Sequence, residues 1–248
     1  MRGYQQKGGL VIEDNAQAAF NDHPTGDFIF NSLRKFTPYD GGYLITRRAM
    51  APYLAQYAGR PNRRLPLIRE YRARLGPYLF NGEGDYDALE HTFALAEQYY
   101  ETDGVVLGDA QERAHIERLD WPGIKQARRE NYHYLLGLIA SIHEISPIFP
   151  ALQADNMPLG LPVYFSGVSR DRVNDELGQH AIGLTIHWDE LLHHPRTRLN
   201  PQVVSMASRM LTLPVDQRTS HKQLDYLVWQ LKRAIRRAQN QAAQASGR

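Results

Sequence analysis

The sequence predicts an α/β protein in two parts: a partial large α/β domain, then a small C-terminal α+β domain. Three observations carry this reading. An apolar run, Leu10-Val11-Ile12, ends in the acids Glu13-Asp14. A second run, Phe28-Ile29-Phe30, leads to Lys35 and then to the glycine pair Gly41-Gly42. Far downstream, after a proline-rich stretch (Pro147, Pro150, Pro158, Pro162), apolar runs alternate with helical periodicity up to a closing amphipathic segment.

Taken in order, Leu10 to Ile12 reads as a strand buried on both faces, because a short continuous apolar run suits a covered parallel sheet. Asp14 and Asn15 are placed to cap a short helix over Ala16 to Phe20. Strands over Phe28 to Phe30 and Tyr43 to Ile45 follow, the latter after the turn Asp40-Gly41-Gly42. From Arg47 to about His115 the texture is helical and rich in Arg and Tyr, with helices expected over Ala49–Tyr57, Leu65–Arg74 and Tyr86–Tyr100. Such faces serve as partner surfaces or, more simply, as solvated helices whose long stems cover apolar surface. A long helix spans 121–144. The second domain then has strands at Val163–Phe165, Gly183–Trp188 and Met210–Leu213, and helices at about Ser169–Gln179 and Lys222–Ile235. The expected divisions are 1–115, 116–238 and a disordered tail at 239–248.

Composition narrows the function. A net charge of +2 over 248 residues does not call for a nucleic-acid partner. Cysteine is absent, which excludes disulfides, thiolate metal sites and cysteine nucleophiles. No apolar stretch is long enough to span a bilayer and the first residues have no signal-peptide core, so the expectation is a cytoplasmic protein without membrane partners. His193-His194 and the pair His180/His187 lack a third ligand at convincing spacing, so no metal site is assigned. Asn81 to Asp87 lacks the twelve-position calcium pattern and reads as a loop entering a helix.

The chemistry rests on Lys35 and Asp14. A lysine becomes a nucleophile toward carbonyls where an apolar or electropositive setting favours the free amine, and Arg34, Phe30 and Phe36 could supply one. A pyridine-type cofactor needs a carboxylate to keep its ring nitrogen protonated, and Asp14 stands at the end of a strand, where open α/β sheets bind ligands. Ser32 could donate to a phosphate and Gln17 to a ring oxygen. The competing reading is plain: a surface lysine after one strand and a helix-capping aspartate after another.

The ordered set Val11-Ile12-Glu13-Asp14-Asn15-Ala16-Gln17-Ala18, Gly26-Asp27-Phe28, Ser32-Leu33-Arg34-Lys35 and Gly41-Gly42 resembles the fold-type I, pyridoxal-phosphate-dependent aminotransferases of the DegT/DnrJ/StrS family. Arg128-Arg129-Glu130-Asn131-Tyr132, Ile182 to Trp188 and Leu213 to Arg218 resemble that family's small-domain landmarks. The resemblance implies pyridoxal 5'-phosphate as cofactor and Lys35 as Schiff-base lysine and general acid/base. It implies Asp14 at the pyridine nitrogen, Gln17 near the ring hydroxyl and Ser32 at the phosphate. It further implies a homodimer that moves an amino group from a small-molecule donor to a keto acceptor, such as a nucleotide-linked keto sugar.

The departures are specific. Family members begin well before the Asp-bearing strand, with a phosphate-cradling turn and a stacking aromatic ring that have no counterpart here. Phe30 stands where a serine is common, Ser32 where a histidine is usual, and the Gly-x-Asn-x-Arg stretch is replaced by the Arg/Tyr-rich helices. The expected cofactor pocket is therefore incomplete. That leaves two alternatives beside the transaminase: a truncated or divergent, catalytically inactive interaction module, and a cofactor-dependent decarboxylation or elimination on the same fold.

Overall fold

The computed structural model describes residues 2–21, 23–154 and 156–246. It divides into two compact units, Met1–Leu119 and Asp120–Arg248. Among the described residues no helix is long and apolar enough to cross a membrane.

Unit 1 begins with α1 (Arg2–Gln5) and a three-stranded sheet of β1 (Ile12–Asn15), β2 (Phe28–Asn31) and β3 (Leu44–Thr46). β1 and β2 are parallel, pairing Ile12 with Phe28 and Asp14 with Phe30, while β3 returns antiparallel to β2. Residues 16–27 make the parallel connection without the expected helix. Asp14 Oδ1 instead accepts the Ala16 N–H at 2.8 Å, and Ala19 turns the chain at φ 54°. The rest of the connection is tied down by Glu13, whose carboxylate accepts the N–H groups of Thr25 (2.7 Å) and Gly26 (2.8 Å). Gly26 has to be glycine, since a Cβ there would lie 2.6 Å from the Glu13 Cβ. Burial pushes the Glu13 carboxyl up, but those N–H donors together with Asn15 and Asn21 outweigh it and hold it below the usual range.

The first strand corrects an expectation. Side chains alternate across a strand, so Ile12, Asp14, Phe28, Phe30 and Leu44 share one face of the sheet, and Asn15, Ile29 and Asn31 lie on the other. The second face is buried along β1 and β2, where Ile29, Asn15 and Asn31 are each 7% exposed, and opens at Ile45 of β3, which is 43% exposed. The first is open, with Ile12 at 70%, Leu44 at 48% and Phe30 at 37% exposure. The apolar run is that of a doubly covered strand, yet in this chain only one face is covered.

The helical stretch of unit 1 contains α2 (Ala51–Leu54), which tightens into a 3-10 turn over Ala55–Tyr57, then α3 (Arg64–Asn81), α4 (Tyr86–Thr102) and α5 (Ala110–Glu117). α3 runs on past its expected end and stops at Gly82, whose φ of 70° is the left-handed conformation that closes a helix. Asp85 then caps α4 by accepting the Asp87 N–H, so the Asn81–Asp87 stretch is indeed a loop into a helix. Leu65, Ile68, Leu89, Ala96 and Ile116 form the buried apolar positions of these helices.

Unit 2 runs through α6 (Trp121–Ile139), β4 (Ile145–Pro147), β5 (Gly160–Phe165), α7 (Arg170–Gly178), α8 (Glu190–His193), α9 (Pro201–Ala207), β6 (Met210–Pro214) and α10 (His221–Ser246). Its sheet is antiparallel in the order β4-β5-β6. Tyr132, Leu135 and Ile139 of α6, Leu161, Val163 and Phe165 of β5, and Leu224, Leu231 and Ile235 of α10 meet in one core. The expected strand at Gly183–Trp188 is reduced to a single bridge, Thr185 to Thr212. Left-handed residues at Ala181 (φ 57°) and Trp188 (φ 58°) bracket that segment and interrupt its extended backbone on either side of the bridge. The expected disordered tail from Gln239 is also corrected: α10 continues to Ser246, in keeping with a run of Ala and Gln, both good helix formers. Gly247 and Arg248 lie outside the described residues.

Arg128 closes this unit. It is 1% exposed and donates from Nη2 to Asp216 Oδ2 at 2.9 Å, from Nε to Gln217 at 2.7 Å, and from Nη1 to the carbonyls of Pro158 and Leu159. Burial pulls its pKa down to about 10 against the opposing pull of Asp216. Burial likewise pushes the Asp216 carboxyl up, but Arg218 and Arg128 outweigh it and leave it lowered. Replacing one partner of a buried pair strands the other, at a cost of roughly 3–5 kcal/mol. Asp216→Asn should therefore lower unit 2 stability in urea by about 3 kcal/mol, toward the low end because the carboxylate is part-exposed. The contribution of a depressed carboxyl is full above its unfolded value, near ~3.9, and fades as pH falls through the lower folded value. The same variant should flatten the acid limb of the stability curve; an unchanged acid limb contradicts this role for Asp216.

Candidate active site

The parallel pairing of β1 and β2 sends both strand ends to the same edge of the sheet, with Asn15 opposite Asn31. Asp14 is the penultimate residue of β1. Lys35 lies just beyond β2, as the last residue of a 3-10 turn over Leu33–Lys35. The topology thus brings the acid and the lysine to one edge, where ligands of α/β sheets bind. Their charges sense each other: the Asp14 carboxylate acts to raise the Lys35 pKa.

The net effect on Lys35 is nevertheless downward. Desolvation of the half-buried amine is the largest cause, the adjacent Arg34 guanidinium adds to it, and Asp14 opposes both. This is the direction that exposes a nucleophilic free amine. Of the apolar neighbours expected around it, Phe36 is 2% exposed and packs inward, whereas Phe30 stays on the open face. Ser32 occupies the position before the 3-10 turn. Its hydroxyl makes no capping hydrogen bond, and its carbonyl accepts the Lys35 N–H at 3.3 Å. Gln17 is exposed on the turn after β1.

The Gly41-Gly42 pair is a geometric requirement. Gly41 has φ 93°, in the left-handed region. A Cβ on Gly42 would lie 2.0 Å from the Asn31 carbonyl oxygen. That close approach lets Asn31 exchange hydrogen bonds with Tyr43, through its N–H to the Tyr43 carbonyl (3.2 Å) and from the Tyr43 N–H to its Oδ1 (2.8 Å). It also lets the Gly41 carbonyl accept the Leu33 N–H at 3.0 Å, at the start of the turn that carries Lys35.

Sequence reasoning missed Asn31 and the braces on the glycine turn, Asp40, Arg64 and Glu112. Asp40 sits beside the glycines but gives no local sign of its partner, which lies on α3. A cavity of about 160 Å³ adjoins this turn, lined by Asp40, Gly41, Arg64, Tyr100 and Glu112 among others, and none of Asp14, Gln17, Ser32 and Lys35 lines it. Among the described residues no three His, Asp or Glu side chains come together to hold a metal ion.

Comparison with solved structures gives the fold. An aminotransferase of the DegT/DnrJ/EryC1/StrS group from Brucella abortus matches over 94% of this chain and 59% of its own, at 18% identity and a TM-score of 0.52. The fold is that of the fold-type I aminotransferases. PseC of Helicobacter pylori, an aminotransferase involved in pseudoaminic acid biosynthesis, matches over 95% of this chain and 62% of its own, at 10% identity and a TM-score of 0.59. The E. coli GDP-4-keto-6-deoxy-D-mannose-3-dehydratase with bound hydrated PLP matches over 93% and 62%, at 16% identity and a TM-score of 0.58. The chain therefore spans about 60% of the length of these structures. No family model matches the sequence, and no curated protein matches it.

The site itself yields a test of sign. At about pH 8–9, below the ordinary lysine value of roughly 10.4, reductive methylation should modify Lys35 more completely than a free lysine. Arg34→Gln removes a cation and should move the modification midpoint upward; Asp14→Asn removes the opposing carboxylate and should move it downward. Peptide mass spectrometry reads both, and a shift in the opposite direction for either variant overturns the charge assignment.

Proposed function

We propose that this chain is the lysine-bearing part of a pyridoxal-phosphate-dependent aminotransferase, and that its amino acceptor is a keto compound of the nucleotide-linked sugar type. The supporting observation is the arrival of Asp14 and a half-buried, pKa-lowered Lys35 at one edge of parallel strands, within a fold shared with sugar aminotransferases. When bound, the cofactor supplies an aldehyde carbon and an electron-accepting ring. Lys35 Nζ would hold that carbon until the amino group of the substrate displaces it, and the amine so freed would take and return the proton at the substrate carbon. Asp14 has one carboxylate oxygen on the Ala16 N–H and would use the other to hold a proton on the ring nitrogen. Ser32 Oγ would donate to the phosphate and Gln17 would reach the ring hydroxyl.

The residues present fit one half of such a group. Lysine, acid and hydroxyl lie at the same strand edge, but Asp14 and Gln17 are exposed. The open face formed by Ile12, Phe30 and Leu44 borders Asp14 on the same side of the sheet. In our reading, further polypeptide encloses the site, and a homodimer is the simplest source. The dehydratase among the similar structures shows that this fold also hosts a different reaction, so the fold by itself does not select transamination.

A second reading has support of its own. The exposure of Asp14, one of whose carboxylate oxygens is engaged by a backbone N–H, is what a non-catalytic relative using this scaffold for assembly would show. Titration of the chain with pyridoxal 5'-phosphate separates the two. The enzyme reading expects a yellow complex and, after borohydride reduction, a pyridoxyl group on the Lys35 peptide that Lys35→Ala abolishes. Label spread evenly over the other lysines, or retained in Lys35→Ala, would sink it in favour of the assembly module.

A further inference from the structure

The Arg/Tyr-rich helices of unit 1 turn a set of arginines toward the base of the lysine turn. Arg64, in the first turn of α3, has a side chain only 7% exposed. Its Nε and Nη2 donate to the two carboxylate oxygens of Asp40 at 2.9 and 3.4 Å, and its Nη1 donates to the Ala96 carbonyl at 2.9 Å. The guanidinium also pairs with Glu97 at 2.9 Å and lies 3.8 Å over the Tyr100 ring. Asp40 is held from its other side as well, because its N–H donates to Glu112 Oε2 at 2.9 Å. Arg69 in turn holds Glu112 through a 3.0 Å hydrogen bond.

The next residue carries the connection onward. The Gly41 carbonyl accepts the Leu33 N–H at 3.0 Å, and Leu33 opens the 3-10 turn that Lys35 ends. Thr37 Oγ1 donates back to the Leu33 carbonyl at 3.1 Å, and Arg72 of α3 donates to the Pro38 carbonyl. A second strut reaches the residue before the lysine, where Arg34 pairs with Glu97 of α4 at 3.0 Å. Residues 33–41 would otherwise be a short turn and a loop held by few backbone bonds. A two-pronged arginine grip on a nearly buried carboxylate is geometrically exacting, and lysine does not reproduce it.

We propose that Arg64 is a positioning residue for Lys35: by fixing Asp40 it sets the Gly41 carbonyl against the Leu33 N–H and so fixes the turn that presents the lysine amine. This rests on the reading of Lys35 as the reactive group. Arg64 touches neither Lys35 nor any reacting atom; it acts through Asp40 and Gly41.

The test uses the full 248-residue chain with Arg64→Gln, Asp40→Asn, and Arg74→Gln as control, since Arg74 makes an exposed pair with Glu70 on the same helix. Amide exchange is followed on the peptide containing Leu33, and borohydride trapping of pyridoxal 5'-phosphate on Lys35 is followed across pH. Both test variants should speed Leu33 exchange by about tenfold or more while peptides from β5 in unit 2 stay as in the parent. Both should slow trapping by about tenfold and shift its pH midpoint toward that of a free lysine, while peptides covering β1 in unit 1 exchange as in the parent, which general loosening of the unit would not allow. The double variant should be no worse than either single one, and the control should match the parent.

Leu33 exchange and the trapping midpoint unchanged in Arg64→Gln and Asp40→Asn would overturn the proposal. If either variant unfolds unit 1 as a whole, Arg64→Lys replaces it, and parental exchange and trapping in that variant overturn the proposal equally. Should the parent itself fail to trap cofactor on Lys35, the proposed function falls, and Leu33 exchange alone decides the role of Arg64.

Discussion

Unit 1 depends on one close approach: the Gly42 backbone lies against the Asn31 carbonyl, where a side chain would come within 2.0 Å. Because residue 42 has no Cβ, β3 can return beside β2 and Asn31 can exchange hydrogen bonds with Tyr43. Because residue 41 accepts φ 93°, its carbonyl can face the Leu33 N–H. Both strand ends then close on a short, braced turn, and the lysine at its end has a defined place. Parallel pairing of β1 with β2 does the rest by bringing Asp14 to the same edge.

The electrostatics of that edge follow from what surrounds the amine. Desolvation and Arg34 both disfavour the ammonium form, and Asp14 favours it. Arg34 is itself held by Glu97, which also pairs with Arg64. The helices from 47 to 115 are thus more than solvated packing around a core. Their buried charges meet the glycine turn, and because Arg64 and Asp40 are both nearly buried, the loss of Arg64 would leave the Asp40 carboxylate without the cation that grips it.

What could be read in the sequence follows physical range. The Gly-Gly turn, the two parallel runs, the closing helix and the positions of Asp14 and Lys35 at successive strand ends are legible because each is a local pattern: glycine chemistry, apolar period, or residue type at a strand end. The Asp40–Arg64 grip was not legible, since its partners are 24 positions apart and neither advertises the other. The apolar alternation at Gly183–Trp188 is real, but left-handed residues flank it and its pairing is limited to the one bridge from Thr185 to Thr212. The short helix after Asp14 misled in a related way. An aspartate that can cap a helix can as readily close a turn, and here Glu13 ties the following loop through backbone N–H groups of Thr25 and Gly26.

The open face of the first sheet bears directly on the chemistry. Parallel strands with continuous apolar runs are normally covered on both sides, because each uncovered Ile, Phe or Leu forfeits the roughly 1.5–3 kcal/mol that full burial of such a side chain yields. Here Ile12, Phe30 and Leu44 remain open on the very face that carries Asp14, while Ile29 on the opposite face is sealed. A carboxylate in that position, exposed to water, has little leverage on a ring nitrogen; covered, it would act in a low dielectric, where its charge counts for far more. Whatever covers those apolar side chains would therefore also dry the acid. About two-fifths of the length of the structures that share this fold lies outside what this chain spans. On the proposed reading, the lysine end of the site would be set by these residues, through Gly41, Asp40 and Arg64, and the acid end would become effective only when the sheet face beside it is closed.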